Sequence, residues 1–124
     1  MKIKTSELTG RALDWAVARA DGRGVKINEL GYVFVKDRRS IGVYSPSTNW
    51  RECGQLIEEY LDDVTYVGRK DNHWVASCKA VTVDDFSIWK VQEGQTPQIA
   101  ICRAVVAAQL GDEVEIPDEL MEAE

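Results

Sequence analysis

The segment from Tyr44 to Trp50 is the strongest candidate for a ligand-binding loop in this sequence. It combines hydroxyl and amide side chains, which can hydrogen-bond a polar ligand, with a tryptophan ring that can stack on one. The candidate ligand-binding residues of this loop are Ser45, Ser47, Asn49 and Trp50. A structural interpretation stays open beside this one. Serine, proline and asparagine are typical of a turn that caps the next helix, and Trp50 would then fill the core.

Arg103 is a further candidate because it lies in the middle of an otherwise apolar stretch. A cation in such a place needs a carboxylate, a cluster of carbonyl groups or a route to water. In the structural interpretation, Arg103 pairs with an acid such as Asp14 or Glu52. In the functional interpretation, it holds an anionic group of a ligand beside the candidate loop. Arg103 therefore joins the candidate ligand-binding residues.

No residue is predicted to be catalytic, and we expect neither a metal nor a cofactor. His73 is the only histidine, and it follows a polar turn, so we expect it to be exposed at a strand end. The cysteines lack the short spacing of structural zinc sites, and no phosphate-binding loop motif occurs. Their small or apolar neighbours predict reduced thiols in a core, which fits a reducing cytoplasm. The three are Cys53, Cys78 and Cys102.

Charge is distributed unevenly along the chain. The 124 residues carry a net charge of −6, yet residues 112–124 alone hold seven acidic residues and no basic one. Residues 1–51 hold ten basic and five acidic residues. We expect the acidic segment to be solvated rather than paired with the basic half, because exposed ion pairs contribute little. Arg38 and Arg39 form the only basic doublet of that half, so nucleic-acid binding is disfavoured.

Helical and strand-like patterns alternate along the chain. Thr5 or Thr9 can cap the first helix, while Thr96, Pro97 and Gly111 mark the start and end of the last. The order predicts an α+β fold in a single domain, residues 1–124, with a small antiparallel sheet packed against about three helices. The predicted helices are residues 8–20, 51–61 and 97–110, and the predicted strands are 32–35, 41–44, 64–67, 73–78, 80–83 and 86–91.

In the first helix, the helical spacing of apolar residues leaves Asp14 toward water. Beyond Gly111 the pattern is weaker. The segment from Val114 to Ile116 is too short and acidic to be more than an extended segment, and Pro117 keeps it from being a central strand. We expect Val114 and Ile116 to dock on the core, and the residues beyond Pro117 to add little to stability.

Three blocks of the chain resemble one known family. They are Met1 to Ala18, Tyr44 to Trp50, and Gly94 to Pro117. In this order they resemble the NinX-like proteins of lambdoid phages of enteric bacteria, an uncharacterised family, and the likeness covers nearly the whole chain. The sequence departs from the family pattern at Asn49, where aspartate is usual, and at residues 53–55, where Gly-Gly-Pro is usual. The resemblance implies a phage context and no particular activity.

We therefore expect a non-enzymatic phage accessory protein that binds a host or phage protein in the host cytoplasm. The contact would be the acidic end or an exposed aromatic patch. One alternative is a small-ligand or nucleotide-related enzyme with its pocket at the loop from Tyr44 to Trp50, and another is a nucleic-acid-binding protein. A deep pocket that joins the loop to Arg103 would favour the enzyme, and a flat surface with exposed aromatics would favour the binder. No secretory leader or membrane-spanning run is apparent, so we expect no membrane association.

Overall fold

The computed structural model describes residues 1–60, 67–83 and 86–121, and of residues 81–83, 86 and 87 it describes the backbone. Within these residues it has three helices and eight strands, which confirms the α+β prediction. The predicted strand residues 64–66 lie outside the described residues. The helices are α1 (Gly10–Ala20), α2 (Trp50–Tyr60) and α3 (Pro97–Leu110). The strands are β1 (Lys2–Lys4), β2 (Val25–Ile27), β3 (Val33–Lys36), β4 (Ile41–Val43), β5 (Val67–Lys70), β6 (His73–Val83), β7 (Phe86–Gly94) and β8 (Glu113–Glu115).

Local signals fix both ends of α3. The Thr96 hydroxyl accepts a hydrogen bond from the Ile99 N–H at 3.1 Å, and Pro97 occupies the first turn, where its missing N–H costs nothing. Gly111 follows the helix with a backbone φ of +100°, which residues other than glycine rarely adopt. The predicted start and end of this helix are confirmed.

Helix α3 is the central helix of the core. It is apolar on nearly every side, so it has to be covered on every side. It contacts α1, α2 and the strands β5, β6 and β7. Its small residues permit close packing of these neighbours. The buried residues are Ala100, Ile101, Cys102, Ala104, Val105, Val106 and Ala107.

The strands of the described chain form three antiparallel sheets rather than one. The first contains β2, β3 and β4 in that order, the second contains β5, β6 and β7, and the third pairs β1 with β8. The predicted hairpin across residues 37–40 is confirmed as β3 and β4. Strand β2 was not predicted, and β7 continues to Gly94, three residues beyond its predicted end. Pairing with β6 supplies the hydrogen bonds that this extension needs.

The acidic end of the chain is paired, not solvated throughout. Glu113–Glu115 forms β8 and pairs with β1, so that Lys2 and Lys4 lie opposite its two glutamates. Val114 and Ile116 are buried, as predicted. The prediction of an unpaired segment was wrong because its partner strand lies at the other end of the sequence, where a local pattern gives no signal.

Order continues beyond Pro117. Residues Asp118–Leu120 form one turn of 3₁₀ helix, and Leu120 and Met121 are half-buried against the hydrophobic core. These two side chains give the end of the chain an apolar contact with the rest of the molecule.

The burial of α3 predicts a large difference between two aspartate substitutions. Val106 is fully buried, whereas Leu110 on the same helix is 40% exposed. Val106→Asp places an unpaired carboxylate in the core and should lower the free energy of unfolding by on the order of 3–5 kcal/mol. Leu110→Asp is the control and should cost much less. Urea unfolding of both variants measures the difference, and equal midpoints would contradict the central position of α3.

The half-buried contacts of Leu120 and Met121 revise the expectation for the acidic end. Deletion of residues 118–124 should lower the free energy of unfolding by about 1–2 kcal/mol, because two partly buried apolar side chains are lost. The double substitution Leu120→Gln and Met121→Gln in the full-length chain should cause most of the same loss. Thermal melts compare the two proteins with the parent. Unchanged stability in both would show that this end is structurally dispensable, as the sequence had suggested.

Candidate functional site

The loop between β4 and α2 is a turn that caps the helix. The Asn49 N–H donates to the carbonyl of Ser45 at 2.9 Å. The Asn49 side-chain oxygen accepts from the N–H groups of Arg51 and Glu52, at 2.9 and 3.2 Å, and so satisfies the first turn of α2. Pro46 is buried beneath the loop. The turn-and-cap interpretation of this loop is confirmed.

Two carboxylates hold the backbone of this loop. Asp14 on α1 accepts the Ser47 N–H at 2.9 Å, and Glu52 on α2 accepts the Ser45 N–H at 2.7 Å. The Asp14 side chain is buried, with 5% of the residue exposed. Burial raises the pKa of Asp14 to about 6, and the nearby Glu52 carboxylate adds to this rise while the hydrogen bond from Ser47 opposes it. The loop is therefore attached to both helices through buried or half-buried polar contacts.

The expectation that Asp14 faces water was wrong. On a helical projection, residue 14 falls between Val17 and Ala18, both of which are buried. The position of Asp14 among the apolar residues of α1 was therefore a signal in the sequence that this side chain is buried. The reason for a carboxylate at this point, the Ser47 N–H, lies 33 residues away and carries no local signature.

Trp50 does not fill the core. It is the first residue of α2, and 54% of it is exposed. The core-filling interpretation of this residue was wrong because the turn uses Pro46, and not the tryptophan, as its buried anchor. Its ring is therefore available to a partner molecule.

Arg103 binds carbonyl groups and not an acid. Its Nε donates to the carbonyl of Leu8 at 2.9 Å, and its Nη1 donates to the carbonyl of Glu93 at 2.6 Å. The predicted pairing with Asp14 or Glu52 was wrong, because those carboxylates hold the loop amides instead. The second solution that the sequence allowed, a cluster of carbonyl groups, is the one observed.

A groove of about 680 Å³ opens beside Arg103. The residues that line it, called the Arg103 groove below, are Ser6, Thr9, His73, Val91–Gln95, Ile99 and Arg103. His73 is the first residue of β6, as the strand-end prediction implied; it is about one-third exposed, and its Nε2 lies 2.8 Å from the Glu93 carboxylate. None of the candidate loop residues lines this groove, so the structure does not bring Arg103 and the loop into one pocket.

The free edge of the first sheet is the most exposed apolar feature near the loop. Strand β4 is outermost in the order β2, β3, β4, and Ile41 and Val43 are 67% and 55% exposed. The Tyr44 N–H donates to the carbonyl of Val33 on β3. Because hydrogen-bonded and non-bonded pairs alternate along antiparallel strands, the N–H and C=O groups of Ile41 and Val43 point away from β3. They form an open edge on which a further strand can be added.

A depression of about 280 Å³ runs between this edge and the start of α2. It is called the β4 groove below, and its lining includes Arg23, Ser40–Tyr44, Asn49, Arg51, Glu52 and Gln55. Asn49 is therefore the one residue of the predicted site that lines it. Sequence reasoning missed Ile41 and Val43, because it predicted the strand and had no means to predict that the strand lies at an edge.

Charged residues of both signs lie in and near the β4 groove. Arg39 at the hairpin turn is neutralised by Asp21 and Glu59, at 3.0 and 3.3 Å. Arg23 pairs with Asp37 at 2.8 Å. No ion pair with a described residue is formed by Lys36, which lies opposite Ile41, by Arg38 in the hairpin turn, or by Arg51, which lines the groove. The Glu52 carboxylate also lines the groove and offsets one of these positive charges.

The cysteines are all buried, and none of the three is in a disulfide, as predicted. The Cys53 and Cys102 thiols interact across α2 and α3. The hydrogen bond with Cys53, together with burial, raises the pKa of Cys102 well above its ordinary value. A thiol in that state is unreactive, so Cys102 acts here as a small core residue.

Among the described residues, no group of three or more histidine, cysteine or acidic side chains is arranged to hold a metal ion. None of the described helices is both long and apolar enough to cross a bilayer.

Comparison with known proteins identifies the family. A family model for NinX of bacteriophage P22 matches residues 4–109. The chain belongs to the NinX family. No curated protein matches it. The match to NinX includes α1, the loop, β4 and Arg103, so both grooves lie in the part of the chain that this family defines.

The buried carboxylate predicts a pH dependence for this NinX-family protein. The pKa of Asp14 is about 6 when folded, above its ordinary value of 3.8, so the folded state binds more protons between these pH values. Stability contributed by protonated Asp14 is therefore present below pH 4 and is lost as the pH rises through 6. The loss is on the order of 3 kcal/mol.

Asp14→Asn removes this titration and keeps an oxygen that can accept the Ser47 N–H. The variant should gain stability relative to the parent as the pH rises from 4 to 7. Urea unfolding of both proteins across this range measures the gain. Parallel stability curves would show that Asp14 is ionised at a normal pKa in the folded protein.

Proposed function

We propose that this protein is a non-enzymatic phage accessory protein that acts in the host cytoplasm by binding another protein at the edge of β4. The observation that carries the proposal is the open strand edge at Ile41 and Val43, whose exposed apolar side chains stand beside a groove walled by α2. The buried, unbridged cysteines support a reducing compartment.

Strand addition is the binding mode that this geometry supports. An extended segment that lies along β4 gains main-chain hydrogen bonds from the two outward-facing residues, and the groove beside the strand receives its side chains. Trp50, at the start of α2, is another exposed apolar side chain that a partner can contact. Aromatic residues of this kind contribute much of the affinity of protein interfaces.

The charge of the groove indicates the chemistry of the partner. Arg51 lines the groove, Lys36 lies opposite Ile41, and Arg38 lies in the hairpin turn; none of the three has an ion-pair partner among the described residues, whereas the Glu52 carboxylate in the groove offsets one of these charges. An extended segment with alternating apolar and acidic side chains complements this surface. A second copy of the same chain is disfavoured, because symmetric pairing of two β4 strands would bring these cations together.

The alternative contacts and functions have less support. The acidic segment is paired with β1 as far as Glu115, which leaves less of it for a partner. The loop of the predicted enzyme pocket has its Ser45 and Ser47 amides and the Asn49 side chain occupied by internal hydrogen bonds. We therefore do not propose an enzyme at this loop.

A short peptide of alternating glutamate and valine is the probe for strand addition, and a peptide of alternating lysine and valine is its charge-reversed control. The acidic peptide should bind, and it should slow amide hydrogen exchange at Ile41 and Val43, whose N–H groups face outward. The N–H of Gly42 faces β3 and should change little. Measurement by NMR resolves the three amides separately.

Matched variants at one position separate the hydrogen bonds from the side chain. Val43→Pro removes an outward-facing N–H and no bond to β3, so the edge strand should tolerate it and peptide binding should be lost. Val43→Thr keeps the N–H and should retain most binding. Equal binding by the proline variant, or a preference for the lysine peptide or for an oligonucleotide, would overturn the proposal.

A further inference from the structure

Arg103 is fixed in place but only partly used. A guanidinium has five N–H donors. In Arg103, the Nε donor binds the Leu8 carbonyl and one Nη1 donor binds the Glu93 carbonyl. Three donors remain, including both on Nη2, and no carboxylate of the described residues forms an ion pair with this side chain. We propose that the Arg103 groove binds a ligand with a single carboxylate next to an apolar group. This site is separate from the β4 groove, and the inference does not rest on the proposed function.

Two carbonyl groups from distant parts of the chain hold the guanidinium. One belongs to the connection before α1 and the other to the end of β7, so the side chain cannot swing freely. A donor group that is already oriented loses little entropy when a ligand binds. Partial burial lowers the pKa of Arg103, which remains charged, and it weakens the competition of water for the cation.

Two of the residues that line the groove carry a hydroxyl group that can donate to a ligand. Ser6 and Thr9 line the groove, and neither side chain hydrogen-bonds to a described residue. Thr9 occupies the capping position of α1 without capping it. A carboxylate in the groove can therefore accept from the guanidinium and from these hydroxyls together.

The charge inside the groove favours one negative charge over two. Arg103 is the fixed cation, and the Glu93 carboxylate lies nearby with His73 at 2.8 Å. A phosphate dianion would meet this carboxylate with little compensation from the single guanidinium. A monoanionic carboxylate meets half of this repulsion and costs less to dehydrate than a dianion.

Val91 and Ile99 supply the apolar side chains of the groove, beside the amide side chains of Gln92 and Gln95. Val91 is 58% exposed, and Ile99 is half-buried behind it. Gly94 allows the end of β7 to approach the start of α3 closely, since a side-chain carbon at this position would lie 2.7 Å from the Ala100 nitrogen. This close approach sets the Glu93 carbonyl within reach of Arg103. The volume of about 680 Å³ is in the range of small-molecule sites.

Benzoate and hexanoate are the probes, and benzamide and hexanamide are their neutral counterparts. Titrations followed by NMR should show that the acids bind and that they shift the signals of Ser6, Thr9 and Arg103. The amides should bind at least about fivefold more weakly, because they lack the charge. Inorganic phosphate should also bind more weakly than the acids.

Surface variants test the site without removing the structural bonds of Arg103. Val91→Glu places a negative charge at the mouth of the groove and should weaken benzoate binding by at least about fivefold. Val91→Lys should not weaken it. Ile88→Glu, on the same strand but outside the groove, is the control and should leave binding unchanged. Val43→Pro should also leave benzoate binding unchanged. A failure of the Arg103 groove proposal is then distinguishable from a failure of the strand-addition proposal at β4.

A carboxylate next to an apolar group can belong to a small acid or to the C-terminal end of a peptide. A pair of peptides distinguishes these two sources. A peptide that ends in leucine with a free carboxylate represents a chain end, and the same peptide with an amidated end is its control. Tighter binding of the free peptide than of the small acids assigns a chain end, and the reverse assigns a small acid. The proposal would be overturned if acids and amides bound equally. It would also be overturned if Val91→Glu and Val91→Lys bound the small acids and the free peptide as the parent does.

Discussion

The central turns of helix α3 are buried around nearly the whole circumference of the helix, and this constraint organises its neighbours. Seven of its residues are buried, and they extend around the helix instead of along one stripe. A single sheet covers only one side of a helix, so α1 and α2 cover α3 together with the sheet of β5, β6 and β7. The sheet of β2, β3 and β4 packs against α1 instead.

The same constraint explains the unusual position of Arg103. Its side chain leaves a helix whose neighbours on both sides are buried, and the guanidinium reaches carbonyl groups at the rim of the core. Carbonyl groups satisfy a cation without requiring a second buried charge, which is costly to dehydrate. The carboxylate of Asp14 remains available to hold the Ser47 amide.

Features that depend on neighbouring residues could be predicted from the sequence, and features that depend on distant ones could not. The ends of α3 and the hairpin of β3 and β4 were predicted because Thr96, Pro97, Gly111 and a polar turn mark them locally. The pairing of β8 with β1, the edge position of β4 and the carbonyl partners of Arg103 all join residues far apart in sequence. Of the five candidate ligand-binding residues, Asn49 lines the β4 groove and Arg103 lines the other groove, and this separation was visible only in three dimensions.

The pairing of β1 with β8 has a consequence for synthesis on the ribosome. Strand β1 has no partner until α1, α2, α3 and the strands between them have been synthesised, and closing so long a loop carries a high entropic cost. Until α3 emerges, the apolar faces of α1 and α2 also lack their cover. We expect the nascent chain to remain open and dependent on protection from aggregation, and to close in one late, cooperative step.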